Sequence, residues 1–167
     1  MNDLTRRQQA MVDLWEAHLA YEFEDHDENK TVSTMVEDAY VNHVPTMTGG
    51  RGREGLREFY GKHFVHQSPD DWTTTPVSRT VGHDMLVDEL CAEFTHDIEL
   101  DWMLPGVPPT GRKVKVAVVV VAHFRDGKLA HEHIYWDQAS VLVQLGLLEK
   151  GSLPVVGAEG AKKVLKG

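Results

Sequence analysis

A single cysteine, Cys91, stands among 167 residues. No disulfide can form within the chain, which fits a reducing compartment and leaves the fold to its apolar core. Long apolar runs are missing too: none approaches the ~20 residues that a membrane-spanning helix needs. The N-terminus, Met1 to Arg7, leads into an amphipathic stretch without an apolar signal core. A cytoplasmic location is therefore expected. Basic charge is scarce, with 17 Lys and Arg against 26 Asp and Glu and a formal net charge of -9. Such a surface repels phosphate backbones and anionic lipid, so neither nucleic acid nor membrane is an expected partner. No internal repeat or low-complexity segment is present. With 41% hydrophobic residues the composition is that of a globular protein, and the length suits one domain.

The first third of the chain has helical periodicity. Leu4, Met11, Leu14, Trp15, Leu19 and Phe23 recur at helical spacing, ahead of the acidic cluster Glu24 to Glu28. A short second helix is predicted to start near Thr31, with Thr34 and Glu37 placed as a capping box. Ala39 to Pro45 is extended, because a proline disfavours helix at the residue before it. A third helix is expected from Arg53 to His66, broken by Pro69-Asp70-Asp71.

From Trp72 to Asp137 the chain is strand-like. Strands are predicted at Trp72 to Val81, Met85 to Leu100, Lys113 to Phe124 and Lys128 to Asp137. The second is longer than usual and implies a bulge or bend. Asp126-Gly127, between two β-rich runs, marks a hairpin. A short helix, Gln138 to Leu145, follows Asp137, which stands at its capping position and is stopped by Gly146. Residues 149–167 form a tail with one weak helical patch, Ala158 to Leu165. Helices followed by a curved antiparallel sheet make an α+β architecture, a cone with a pocket inside it.

The closing strand carries the residues of greatest chemical interest. Its side chains alternate between faces: His131, His133, Tyr135 and Asp137 on one, Ala130, Glu132, Ile134 and Trp136 on the other. His131 and His133, about 6.7 Å apart along a strand, have a spacing that can chelate a metal or can form a polar interface. Glu132 among three apolar residues has the pattern of a pocket wall with one working group, and burial there would raise its pKa for acid/base work.

Four motifs occur in order: Tyr-x-Asn-His-x-Pro (Tyr40, Asn42, His43, Pro45), Gly-Arg-Glu-Gly-Leu (Gly52 to Leu56), Pro-Thr-Gly (Pro109 to Gly111), and Asp-Gly-Lys-Leu (Asp126 to Leu129) leading into Tyr-Trp-Asp (Tyr135 to Asp137). In these the chain resembles the SnoaL-like polyketide cyclase branch of the nuclear transport factor 2-like superfamily from Leu4 to Leu148, and the domain is expected to span residues 1–148. The resemblance implies a cone-shaped α+β barrel with N-terminal helices over the sheet. It also implies a homodimer through the convex sheet face, and cyclase, ketosteroid-isomerase-like or epoxide-hydrolase-like chemistry. It turns Ala130, Glu132, Ile134 and Trp136 inward. Ile134 occupies the position at which the cyclases and epoxide hydrolases carry an inward Asp.

The resulting expectation is an enzyme without cofactor or metal, acting on a hydrophobic carbonyl, lactone or epoxide. Glu132 is its acid/base, Asp97 or His96 the partner, and Tyr40, Asn42 and His43 orient substrate or water beside Ile134 and Trp136. The competing expectation is a non-catalytic binding or docking module with the same pocket. A buried cation neutralising Glu132 would favour it.

Overall fold

The computed structural model describes residues 4–166. Helix α1 (Arg6–Phe23) begins at a reciprocal cap: the Gln8 N–H donates to Thr5 Oγ1, and the Thr5 N–H donates to Gln8 Oε1. Helix α2 (Glu28–Ser33) starts earlier than its apolar pattern indicates. Asp27 caps it, accepting from the N–H groups of Asn29 and Lys30, and Thr34 ends it instead of opening a new helix. Strand β1 (Met35–His43) follows at once. Helix α3 (Gly52–Phe59) widens into a π-helical turn, Tyr60–Phe64, that turns both Tyr60 and Phe64 inward. Strands β2 (Thr73–Val81), β3 (Met85–Thr95), β4 (Lys113–Arg125) and β5 (Lys128–Trp136) complete the sheet. Asp137 caps helix α4 (Gln138–Gln144) as its position in the sequence foretells, accepting from the Ser140 N–H at 3.2 Å.

The architecture is the expected α+β one, a curved five-stranded sheet with helices on one face, ordered β1-β5-β4-β3-β2. Four strands are antiparallel neighbours, and β1 joins the β5 edge in parallel. β3 stops at Thr95 without a bulge, because the His96 carbonyl accepts from Thr110 and Gly111 and closes the 96–112 connection. The register irregularities lie elsewhere. One is in the β4–β5 hairpin, where His123 pairs with His131 but Phe124 pairs with Leu129, leaving Ala130 extra. That bulge buries Leu129 and Ala130 together and sets Glu132, Ile134 and Trp136 inward.

The core lies between this inner face and the helices. Trp102, Met103 and Leu104 are buried in it. They are tethered by the Thr46 and Thr48 hydroxyls, which donate to the Trp102 carbonyl at 2.8 and 2.7 Å, and by Gln138, which donates to that of Met103 at 2.9 Å. The outer face is partly covered by helix α5 (Glu159–Lys166), where the Cys91 thiol meets the Ala161 carbonyl.

The 44–51 loop folds back on β1 through bridges from His43 to Thr48 and from Tyr40 to Arg51. Gly49 permits this at a φ of 144°, and a Cβ there would collide with the Val41 carbonyl oxygen. Gly49→Ala is expected to cost ~2 kcal/mol or more, a fall in Tm of roughly 4–8 °C for a chain this size. An unchanged melt would show that the loop does not anchor Trp102.

Candidate active site

Four residues of α1, Met11, Trp15, His18 and Glu22, fall on one helical face and are buried, so the apolar stripe of this helix ends in two ionisable groups. His18 is fully buried. The Thr34 hydroxyl donates to the Thr31 carbonyl at 2.6 Å, so it accepts from His18 Nδ1–H, also at 2.6 Å. Held in this way, the ring aims Nε2 at two carboxylates, Glu22 Oε1 at 3.0 Å and Glu132 Oε1 at 3.2 Å. Tyr60 donates its hydroxyl to Glu132 Oε1 at 3.2 Å, with His18 Nε2 3.4 Å away. Glu132 thus sits where the strand pattern places it, 4% exposed and turned inward.

The electrostatics follow from burial and proximity. Burial alone would lower the His18 pKa, but the charges and hydrogen bonds of Glu22 and Glu132 outweigh it and raise the value to about 10. Burial pushes the Glu22 carboxyl up, opposed by His18 and reinforced by the charge of Glu132. Burial also holds the Tyr60 hydroxyl well above its usual range, so it remains a donor. The centre is one imidazolium, two carboxyl groups and a phenol around a common point.

These groups open onto a cavity of about 360 Å³, whose wall includes Glu22, Tyr60 and Glu132 but not His18. At 3% exposure His43 lies among Phe59, Phe64, Trp102 and Trp136, with ring centroids 5.1 to 5.8 Å away. Burial lowers its pKa to about 4, against the pull of Glu132 and the Thr48 backbone bond, so it is neutral. Asp88 also lines the cavity. It accepts from Trp15 Nε1 at 2.8 Å and from both arms of Arg79, at 2.6 and 2.7 Å.

Of the residues expected here, Glu132, His43, Ile134 and Trp136 meet at the cavity. Asp97 and His96 do not join them. With β3 ended at Thr95, Asp97 is exposed in the connection, and His96 is buried outside the cavity wall with Nδ1 3.2 Å from Thr110. Tyr40 and Asn42 alternate with the inward residues Ala39, Val41 and His43, and so belong to the outer face. There Tyr40 stacks on His131 and its hydroxyl lies 3.0 Å from His133 Nε2. His131 and His133 stack with ring centroids 4.5 Å apart. The group of three within 4.8 Å, suited by spacing to one divalent ion among the described residues, is His18, Glu22 and Glu132. Periodicity alone passed over His18 and Glu22. Their signal was two ionisable residues, i and i+4, in register with Trp15.

An α+β barrel with a carboxylate-bearing, aromatic-walled cavity is the class that fold and site define. Residues 5–145 match the family described as SnoaL-like polyketide cyclase, and the chain belongs to that family. No curated protein matches it. The structure is similar to that of a Jannaschia sp. CCS1 protein described as a SnoaL-like polyketide cyclase, with 18% identity, a TM-score of 0.68, and cover of 89% of this chain and 100% of that one. TsrD from Streptomyces laurentii follows at 20% identity and a TM-score of 0.65, covering 87% and 100%. SalBIII, described as an epoxide hydrolase/cyclase-like enzyme in pyran ring formation, has 20% identity and a TM-score of 0.54, covering 82% and 95%. At these identities the likeness is one of fold.

The two buried histidines bend stability with pH in opposite senses. His18, raised from 6.5 to about 10, contributes stability that is full below its unfolded value and lost as pH rises through about 10. His43, lowered from 6.5 to about 4, contributes stability that is kept above 6.5 and lost as pH falls through about 4. Thermal melts are expected to peak between these limbs, and His18→Gln is expected to flatten the alkaline one. An alkaline limb unchanged in His18→Gln would contradict the assignment.

Proposed function

We propose that this protein is a small enzyme that works by general acid/base chemistry on a hydrophobic carbonyl, lactone or epoxide substrate held in the cavity. The observation that carries this reading is a pair of buried carboxyl groups, Glu22 and Glu132, facing the cavity and sharing one imidazolium. Two such groups cannot both remain ionised at low cost, and a pair driven to different protonation states supplies an acid and a base. Glu132 takes a proton from the substrate carbon or from the attacking hydroxyl. Glu22, whose carboxyl is pushed up by burial, gives a proton to the carbonyl, lactone or epoxide oxygen. Tyr60 donates to Glu132 and steadies it after each transfer. His18 works from behind, as a positive charge fixed by Thr34. The family and the description of SalBIII support cyclisation or ring opening of this kind.

The pairing of Glu132 with His18 favours a second reading, a binding module in which the cavity only holds a ligand. Glu132→Gln separates the two. His18 keeps its contact with Glu22 in that variant, so Tm should change by less than roughly 3 °C while ligand binding persists. Turnover of a panel of aryl-substituted epoxides and lactones, followed by mass spectrometry, should fall about 10²- to 10⁴-fold. Retained turnover would remove Glu132 from the chemistry. A large fall in Tm would mark it as structural.

We also propose a homodimer through the part of the outer sheet face that α5 leaves open. Tyr135, 42% exposed there on β5, supports this, together with the half-buried ladder Tyr40, His131 and His133. Light scattering at micromolar concentration should give twice the 18.8 kDa chain mass, and a monomer would exclude the dimer.

A further inference from the structure

Five acidic residues line the cavity: Glu16, Glu22, Glu24, Asp88 and Glu132. His18 stands between Glu22 and Glu132, and Arg79 between Asp88 and Glu16. Neither of these cations lines the cavity, and among the described residues no Lys or Arg lines it. The rest of the wall is largely aromatic and includes all four tryptophans of the chain. Trp102 meets Trp72 at 64° and Trp136 at 85°, with centroids 5.6 and 6.0 Å apart. Rings set at such angles present faces as well as edges, and an aromatic face attracts positive charge.

We propose that the ligand of this cavity is a cation: a hydrophobic molecule bearing a protonated amine or quaternary ammonium group, with a neutral oxygen function at its other end. The positive group rests against tryptophan faces on the Asp88 and Glu16 side, leaving Glu22 and Glu132 free for proton transfer at the oxygen function. An anion of the same size would face the acidic wall without a Lys or Arg beside it, and an uncharged molecule would gain nothing from that wall. This assignment rests on the reading above in taking the cavity as the substrate site, and it names the substrate class there.

Benzyltrimethylammonium, its uncharged carbon isostere neopentylbenzene, and phenylacetate test the proposal, with binding read from tryptophan fluorescence. The cation is expected to bind about tenfold or more tighter than the isostere, and phenylacetate weakest. Asp88→Asn leaves Arg79 with Glu16. It should weaken the cation several-fold and leave the isostere unchanged. Equal or weaker binding of the cation than of its isostere in the wild-type protein would overturn the proposal, as would a preference that survives the substitution. Neither result bears on turnover. Loss of activity in Glu132→Gln without cation preference would sink this inference alone, and cation preference without any turnover would sink the enzymatic reading alone.

Discussion

An imidazolium with no solvent exposure needs fixed negative partners, and that requirement organises this molecule. His18 is held by Thr34 on one nitrogen and by Glu22 and Glu132 on the other. Those four residues come from α1, the end of α2 and β5, and Tyr60 adds the π-helical turn after α3. Removing one partner from a buried ion pair is costly because it leaves a charge uncompensated. Here either carboxylate can be lost while the other still faces the imidazolium. That redundancy lets one of them serve chemistry without carrying the whole burden of the fold.

The same constraint explains the form of the cavity. Polar groups converge where α1 crosses the inner face of the sheet, and elsewhere the wall is built from rings. Trp102 packs against His43, Phe64, Trp72 and Trp136, and the Thr46 and Thr48 hydroxyls fix its backbone. A neutral His43 in this setting provides hydrogen-bonding capacity without charge. The carboxylate end and the aromatic end of the cavity therefore present two different kinds of contact.

Much of this was legible in the sequence because strand parity is a strong constraint. The run from Ala130 to Trp136 has one carboxylate among apolar neighbours, and the structure turns that face inward. The Ala130 bulge does not disturb it, since the extra residue lies ahead of Glu132. Asp137 as a helix cap was legible for a similar local reason. The second buried carboxyl, Glu22, was not, because it comes from a helix about 110 residues earlier in the chain, and only tertiary packing decides which helical face meets β5. His96 and Asp97 were misplaced because apolar alternation continues to Leu100 while backbone pairing ends at Thr95. Tyr40 and Asn42, expected to orient substrate or water, stand on the outer face, and pattern alone does not fix the parity of β1. Its parallel pairing with β5 sets that parity, and such a long-range contact leaves no local signature.

The central claim is that His18 is a cation held between two cavity-facing carboxyl groups. Nitrogen-15 NMR of the imidazole, followed across pH, measures it directly. Both His18 nitrogens are expected to be protonated at pH 8, with titration toward about 10 and a lower midpoint in Glu22→Gln and in Glu132→Gln. A His18 ring that is neutral at pH 7 in the wild-type protein would contradict it.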